Sequence, residues 1–453
     1  PPLNRLPRWF VLAVTVAPAL FLALFYLWPF ATLIARGATA DAVRATFERS
    51  DTWRVLWFTT WQAAVSTLLT LVIGLAPAWA IARFEFPGRR LFASILTAVF
   101  VLPTVVIGAA FVAILPDSLD RSVWAILGAH VAFNLAVVVR TVGVAWQRIP
   151  PDLEAAASTL GAGPVRTFTM VTLPLLRSSI AASGAIVFLF TFTSFGVVRV
   201  LGTADRTTLE VEVWRRATQL GDIGGAATLT LIQLATLALL VAWSAHQQRL
   251  HTHRFVSARD DARRRPVGRE RLGVLAAVAV SGVIVVAPLI ALVERSLRFE
   301  GGYSLTAWRS LGNSEIRPGL RLGVDPLGAL ERSAITAVWA TLFALLIGGA
   351  AVVAISALGR SGRVLDAGLM LPLGTSAVTI GFGILITFDT PPVDWRAEWW
   401  LVPVGHALVA APFVVRTSLV AVRTIPADQS AAAATLGASP IRAWTHTSLP
   451  VLR

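Results

Sequence analysis

The sequence predicts an all-α, polytopic membrane protein made of two tandem, pseudo-symmetric helical bundles. Hydrophobic residues make up 56% of the 453 residues and charged residues only 14%, whereas a soluble protein carries about a quarter charged residues. Apolar runs of roughly 20 residues, the length of a bilayer-spanning helix, recur along the chain. One segment also occurs twice, which indicates an internal duplication.

Ten apolar runs are long enough to span a membrane. They fall near 9–30, 55–82, 91–115, 123–145, 179–201, 225–245, 272–293, 332–357, 364–388 and 398–421. We expect helices, because the runs lack the alternation of a barrel strand and exceed its length. The first run is longer than a signal-peptide core and no A-x-A-like site follows it, so we expect it to be retained.

The repeated segment covers Pro151 to Arg177 and again Ala427 to Arg453. We call the two copies the first elbow and the second elbow. The pairs spaced by 276 residues (437 − 161) include Gly161 with Gly437, Pro174 with Pro450, and His130 with His406. Further upstream, Gly74 matches Gly348 at a spacing of 274 (348 − 74). The duplication therefore extends well beyond the elbows.

The repeat divides the chain into a first half, 1–245, an arginine-rich linker, 246–271, and a second half, 272–453. Both halves run in the same direction, as in parallel repeats about an axis along the membrane normal. The last two helices of the first half have no counterpart in the second. We therefore expect about 10 spans here and about 12 in a complete double bundle. An incomplete chain is the favoured explanation, and a second half that lacks these helices is the alternative.

Arginine placement predicts the orientation of the spans. The short loop 83–90 and the linker 246–271 are strongly basic, whereas the loop 202–224 is balanced in charge. Because arginine-rich loops stay in the cytoplasm, we expect the N-terminus, the linker and both elbows to face it. Six spans separate the elbows, which is an even number and places them on one side.

Two missing residue types exclude several kinds of site. The chain contains no lysine, which excludes a GxxxxGK[ST] phosphate-binding loop, so any ATP must be bound by another subunit. It contains no cysteine, which excludes disulfides and thiolate metal sites. The net charge of +14 is concentrated beside the spans, where topology and contact with anionic lipid explain it. We expect no metal site and no nucleic-acid partner.

Each elbow is predicted to be a helix–turn–helix at the membrane face. Asp152 is expected to N-cap a helix over 153–160. Gly161 permits a sharp turn, Pro164 suits the first turn of a second short helix, and Pro174 is expected to end that helix.

The elbow surface predicts docking of another protein. Small side chains at 155–157 allow close approach, and Glu154 and Arg166 offer charge pairing. Two copies on one face indicate a two-fold or pseudo-two-fold partner. A membrane-surface amphipathic loop is the alternative.

Glu154-Ala155-Ala156, Gly161 and Leu173-Pro174 resemble the EAA loop of binding-protein-dependent ABC importer permeases. In that family this loop is the coupling helix that sits in a groove of the ATP-binding subunit. The residues that the resemblance assigns to coupling are Glu154, Ala155, Ala156, Gly161, Arg166, Leu173 and Pro174, and in the second elbow Ser430, Ala431, Ala432, Gly437, Arg442, Leu449 and Pro450. Ser430 departs from the pattern by replacing the glutamate, which puts a salt bridge at the second dock in doubt.

The resemblance implies a transport subunit and not an enzyme. It implies two copies of an ATP-binding subunit that hold ATP and Mg, an extracytoplasmic solute-binding protein, and a bacterial inner membrane. No catalytic residue and no cofactor are expected on this chain. A channel or an intramembrane enzyme is the rival class.

Two stretches suggest the substrate. Residues 129–134, and residues 194–198 followed by 207–212, look like thiamine-permease sequence, which implies import of thiamine or its phosphates. Stretches of the second kind recur in iron and polyamine permeases, so ferric iron and polyamines are the alternatives.

Several residues within spans are candidates for a solute pathway or gate: His130, His406, Ser194, Phe195 and Gly196. An ionisable group inside a membrane is a functional hypothesis by default. A neutral histidine hydrogen-bonded between helices is the favoured alternative. Ser194 and Gly196 also mark a candidate kink.

Overall fold

The computed structural model describes residues 7–250, 263–299, 301–312, 315–317, 320–321, 325–359, 361–389, 393–424, 429, 432–433, 435–439 and 442. Helices dominate this part of the chain, with two short hairpins. The prediction of an all-α polytopic membrane protein is confirmed.

The helices up to the linker are α1 (Arg8–Leu22), α2 (Trp28–Gly37), α3 (Ala40–Glu48), α4 (Ser50–Arg83), α5 (Arg89–Val101), α6 (Thr104–Ile114), α7 (Val123–Gln147), α8 (Pro151–Thr159), α9 (Pro164–Thr167), α10 (Leu173–Phe192), α11 (Gly196–Leu201), α12 (Leu209–Thr218) and α13 (Ile223–Leu250). Those after it are α14 (Arg269–Leu297), α15 (Thr306–Arg309), α16 (Pro326–Leu358), α17 (Gly362–Met370), α18 (Ala377–Thr387) and α19 (Leu401–Thr424). Wider π turns join α1 to α2 and α9 to α10.

Two antiparallel hairpins follow α14. The first pairs β1 (Arg298–Phe299) with β2 (Gly302–Tyr303), with Arg298 opposite Tyr303. The second pairs β3 (Glu315–Arg317) with β4 (Leu320–Arg321), with Glu315 opposite Arg321.

Within the described residues, eight helices are long and apolar enough to span a membrane, and two bent helix pairs raise the number to ten. The bent pairs are α5 with α6 at 108° and α17 with α18 at 103°, and they lie at the runs expected near 91–115 and 364–388. In the first pair Leu102 is extended because Pro103 follows it. In the second pair Ser376 caps the new helix by accepting a hydrogen bond from Thr379 N.

The helices form two compact units, each continuous in space but not in sequence. One unit comprises Pro1–Val43, Asp222–Leu231 and Arg309–Arg453, and the other comprises Arg44–Gly221 and Ile232–Trp308. In the first, α1 packs on α16, and in the second, α14 packs on α4. The first helix of each sequence half thus packs on a span from the other half. The division of the sequence at 246–271 stays a prediction.

The same close helix crossing occurs in both repeats. A methyl group on Gly74 of α4 would lie 2.8 Å from Val138 of α7. A methyl group on Gly348 of α16 would also lie 2.8 Å from Val414 of α19, which is 276 residues after Val138 (414 − 138). Glycine at such a crossing lets two helix backbones approach closely.

Candidate functional site

The first elbow begins at a double proline. Pro150 precedes α8 and Pro151 is its first residue, and no side chain caps the helix. The prediction that Asp152 is the N-cap is wrong, because Pro150 occupies the N-cap position and Asp152 is the second residue of the helix. Proline is well suited to this place, since it has no N–H to satisfy. The charge of Asp152 is instead favourable near the positive end of the helix dipole.

The turn of the first elbow occurs at Gly161, as predicted. Gly161 has a φ of 81°, a left-handed conformation that favours glycine. Ala162 N donates to Ala157 O at 3.0 Å, and Leu160 N donates to Ala156 O at 3.2 Å. These bonds satisfy carbonyls left open at the end of α8.

The described part of the second elbow repeats this geometry. Gly437 also has a φ of 81°. Ala438 N donates to Ala433 O at 3.0 Å, and Leu436 N donates to Ala432 O at 3.2 Å. Four predicted coupling residues, Ser430, Ala431, Leu449 and Pro450, lie outside the described residues.

The prediction that Pro174 ends a second short helix is wrong. The chain runs as one span from Pro164 to Phe192. The π turn Phe168–Thr172 directly precedes Leu173 and Pro174. Proline has no N–H to donate to the helix. The wider turn before it lets the helix continue without that hydrogen bond.

The elbows present small and apolar side chains to the surroundings. Ala155, Ala156 and Arg166 are exposed, and α8 has no buried residue. Leu160 is 89% exposed and Leu436 is 87% exposed. An exposed leucine at the tip of both turns is typical of a surface that another protein covers.

Glu154 is held within the chain. Arg83 Nη2, at the end of α4, donates to Glu154 Oε1 at 2.8 Å, and Thr172 Oγ1 donates to the same oxygen at 2.9 Å. Arg83 Nη1 also donates to Ile149 O at 2.9 Å. Glu154 and Arg166 were both predicted to pair with charges on a partner protein. The carboxylate of Glu154 is already paired within the chain, whereas Arg166 is exposed.

A groove of about 760 Å³ lies beside the first elbow. Trp79, Phe84, Trp146 and Phe168 supply aromatic walls, and Arg83 and Glu154 lie at its side. Residues of both the first elbow and the end of α4 line this groove.

His130 lies inside a buried polar cluster that comprises Ser66, His130, Asn134, Ser194 and Thr208. His130 Nδ1 is 3.0 Å from Ser66 Oγ, and its Nε2 is 2.8 Å from Ser194 Oγ. Thr208 Oγ1 donates to Ser194 O at 2.7 Å. This is the interhelical hydrogen bonding that the sequence favoured for His130, and it joins α4, α7 and the break after α10.

His406 has different surroundings from His130. It is exposed within its unit, and its Nδ1 lies 2.8 Å from Val402 O in the preceding turn of α19. The sequence match between the two histidines does not extend to their contacts.

Phe195 and Gly196 lie at the break between α10 and α11, where a kink was expected. Phe195 packs edge-on against Trp214, with ring centroids 6.0 Å apart. A Cβ on Gly196 would lie 2.2 Å from Thr104 Oγ1 and 2.7 Å from Val105 N. Glycine is thus required where α11 meets the start of α6.

The loop 202–224 contains buried charges that the sequence did not reveal. Glu212 and Arg216 are almost fully buried and form an ion pair at 2.9 Å. Burial alone would raise the pKa of Glu212, but hydrogen bonds from Arg215 and Arg216 outweigh it and hold that pKa below its usual value. Glu210 accepts a hydrogen bond from Gln233 Nε2 at 2.5 Å.

Arg83 and Thr172 are the contacts of the elbow that sequence reasoning missed. Arg83 looked like one more positive charge in a basic loop. Comparison of the repeats could have found it, because Ala357 stands 274 residues after Arg83 (357 − 83) and Ser430 stands 276 after Glu154 (430 − 154). Both members of the pair change together.

No group of three or more histidine, aspartate or glutamate side chains is placed to hold a metal ion in the part of the chain that the structure describes.

Comparison with known proteins identifies a family and several relatives. Residues 71–251 match the family described as "Binding-protein-dependent transport system inner membrane component". A thiamine transport system permease protein ThiP of Brucella abortus is 29% identical over 390 residues, which cover 80% of this chain and 68% of the relative. The protein of that name in Escherichia coli is 31% identical over 264 residues, or 53% of this chain and 47% of the relative.

A third relative carries a different substrate name. The probable sulfate transport system permease protein cysT of Nephroselmis olivacea is 32% identical over 197 residues. The match covers 40% of this chain and 69% of the relative.

Proposed function

The chain belongs to the family of inner membrane components of binding-protein-dependent transport systems, and we propose that it is the permease of an ABC importer for thiamine or its phosphates. The thiamine-named relative in Brucella abortus matches 80% of the chain, whereas the sulfate-named relative matches 40%. The first match reaches across both predicted halves, which favours thiamine over sulfate.

The repeated elbow geometry is the observation that carries the mechanism. Both turns have the same φ at glycine, the same two backbone hydrogen bonds and an exposed leucine at the tip. Two projections with the same turn geometry suit two copies of one ATP-binding subunit. We place the elbows, the linker and the N-terminus in the cytoplasm, in agreement with the arginine distribution.

ATP and Mg are bound by those subunits, since this chain has no lysine for a phosphate-binding loop. Closure of the two subunits moves the elbows, and the bundles then alternate access to a solute delivered by an extracytoplasmic binding protein. The difference in binding free energy between the two states drives transport, with no chemistry on the solute.

The substrate is tested by ATPase activity of the complex in proteoliposomes. The binding protein is loaded in turn with thiamine, thiamine phosphates, sulfate, ferric iron and polyamines. We expect stimulation by thiamine or its phosphates alone. Stimulation by sulfate, iron or a polyamine instead would overturn the substrate proposal and keep the importer.

The docking role is tested by the exposed leucines. Leu160→Ser with Leu436→Ser removes the apolar tip of both elbows, so we expect the ATP-binding subunit to co-purify at least tenfold less. Leu220→Ser is the matched control, because Leu220 is an exposed leucine of a different loop. Equal recovery of the subunit with both variants would show that the elbows are not the dock.

A further inference from the structure

We propose that Arg83 is a positioning residue that fastens the first elbow to its bundle, and that the second elbow, whose sequence lacks both members of the Arg83–Glu154 pair, is held less firmly. The inference rests on the proposed function only in treating the elbow as the element that moves with ATP hydrolysis. Its structural part stands on the contacts of Arg83 and on the comparison of the repeats.

Arg83 joins three parts of one unit through its guanidinium group. The side chain belongs to the last turn of α4, bonds Ile149 O just beyond α7, and pairs with Glu154 on α8. Its side chain is 8% exposed, whereas the side chain of Glu154 is 30% exposed. A partly buried, charge-assisted contact of this kind is stronger and more directional than a surface ion pair.

The main chain around Arg83 is held in place as well. Arg264 N donates to Arg83 O at 3.2 Å, and Glu85 N donates to Arg264 O at 3.0 Å. The Arg264 guanidinium lies over the Phe84 ring, 5.1 Å from its centroid. The backbone that carries Arg83 is therefore fixed in position.

Among the described residues, few other side chains hold the first elbow, so it depends on this contact. None of the residues of α8 is buried, and Glu154 is one of its two least exposed residues. Thr172 Oγ1 adds a hydrogen bond to the same carboxylate oxygen from the far side of the turn. Glu154 thus fixes α8 relative to both α4 and the start of α10.

The second repeat has lost both members of the pair. Ala357 replaces the arginine and packs on Val353, and a methyl group can donate no hydrogen bond. Ser430 replaces the glutamate. The turn itself is kept at Gly437, so the sequence change replaces the arginine–glutamate pair and keeps the turn. The two elbows then transmit motion unequally, with the first moving rigidly with its bundle.

The first test is hydrogen exchange of the chain alone in lipid nanodiscs, which needs no partner subunit. Peptides that contain Leu160 and Ala162 report the first elbow, and peptides that contain Leu436 and Ala438 report the second. We expect the first elbow to exchange about tenfold more slowly than the second. Equal protection of the two elbows in the unmodified chain would overturn the proposal.

Two variants remove the fastening in different ways. Arg83→Met removes the donor, and Glu154→Gln keeps an acceptor but removes the charge. Each is expected to speed exchange of the first elbow to about the rate of the second. Arg89→Met is the matched control, because Arg89 is a nearby arginine that pairs with Glu85 and not with Glu154. If Arg83→Met does not fold, Glu154→Gln decides, and exchange unchanged by it would overturn the proposal.

A second measurement links the fastening by Arg83 to transport. In the complete complex, Glu154→Gln is expected to raise the ATP hydrolysed per solute imported several-fold, while Arg89→Met leaves the ratio unchanged. If exchange responds and this ratio does not, Arg83 fastens the elbow but the fastening does not couple ATP hydrolysis to transport. The docking role is judged separately, by recovery of the ATP-binding subunit with the Leu160 and Leu436 variants. The two failures are therefore distinguishable.

Discussion

At the residue scale, the break between α10 and α11 depends on one glycine. Gly196 faces Thr104 and Val105 at distances that leave no room for a side chain. One of the two contacts is with a backbone nitrogen, which cannot move without shifting α6. The need for glycine here is a packing constraint, and it places α11 against α6.

We expect Gly196→Ala to lower the free energy of unfolding by about 1–3 kcal/mol, the usual cost of overpacking. Thermal unfolding of the purified protein in detergent measures the effect. Gly282→Ala is the control, since a methyl group on Gly282 of α14 would meet no atom within 4 Å. A Gly196→Ala protein as stable as that control would contradict the close approach.

The buried polar cluster is a second feature of this scale. Ser194→Ala leaves one nitrogen of His130 without its partner, so we expect a loss of about 1–3 kcal/mol of stability with an unchanged KM for transport. Thr60→Ala is the control, because the Thr60 hydroxyl is exposed and donates to Leu56 O of its own helix. A raised KM with unchanged stability would instead place His130 in the solute pathway.

At the element scale, the first elbow contains two glycines, and they differ in backbone conformation. Gly161 adopts a positive φ, whereas Gly163, two residues later, has a φ of −68°. Any residue can adopt the second conformation, but a Cβ is strained in the first. Of these two glycines, Gly161 is therefore the one that sets the direction of the chain after α8.

We expect Gly161→Ala to strain the turn by about 1–2 kcal/mol and to reduce coupling of ATP hydrolysis to transport. The number of ATP molecules consumed per solute imported is the measurement. Gly163→Ala is the matched control, because a methyl group there meets no atom within 4 Å. Equal coupling in both variants would show that the turn at Gly161 does not transmit motion.

At the scale of the whole molecule, the units cross the predicted sequence boundary. α1 packs on α16, and Val353 of α16 is covered by Phe10, Val11 and Val14 of α1. α14 packs on α4 in the other unit. Each unit therefore needs residues from both sides of the linker.

This packing predicts a covalent link between distant parts of the chain. Since the chain has no cysteine, Val14→Cys with Val353→Cys should form a single disulfide, and cutting an engineered protease site in the linker should leave the fragments joined on a non-reducing gel. Val14→Cys with Gly349→Cys is the control, because a Cβ on Gly349 meets no atom within 4 Å. Separated fragments from the first pair would contradict the packing of α1 on α16.

Sequence reasoning succeeded where the cause is local. Hydropathy over some 20 residues predicts a span, and glycine at Gly161 predicts a turn because few other residues adopt a positive φ. It failed at Pro174, where a π turn precedes the proline and the helix continues through it. It located the two bent pairs as candidate spans, but apolar composition alone does not reveal the bend within each pair.

The sequence by itself determined the membrane class, the family resemblance and the repeat of the elbows, since each of these is encoded in neighbouring residues or in a fixed spacing. Only the tertiary structure decided that Arg83 pairs with Glu154, that His130 meets Ser66 and Ser194, and that α1 packs on α16. These contacts join residues far apart in the chain. Apolar helices have many alternative partners of similar hydrophobicity, so side-chain shape and hydrogen bonding across the bundle choose among them.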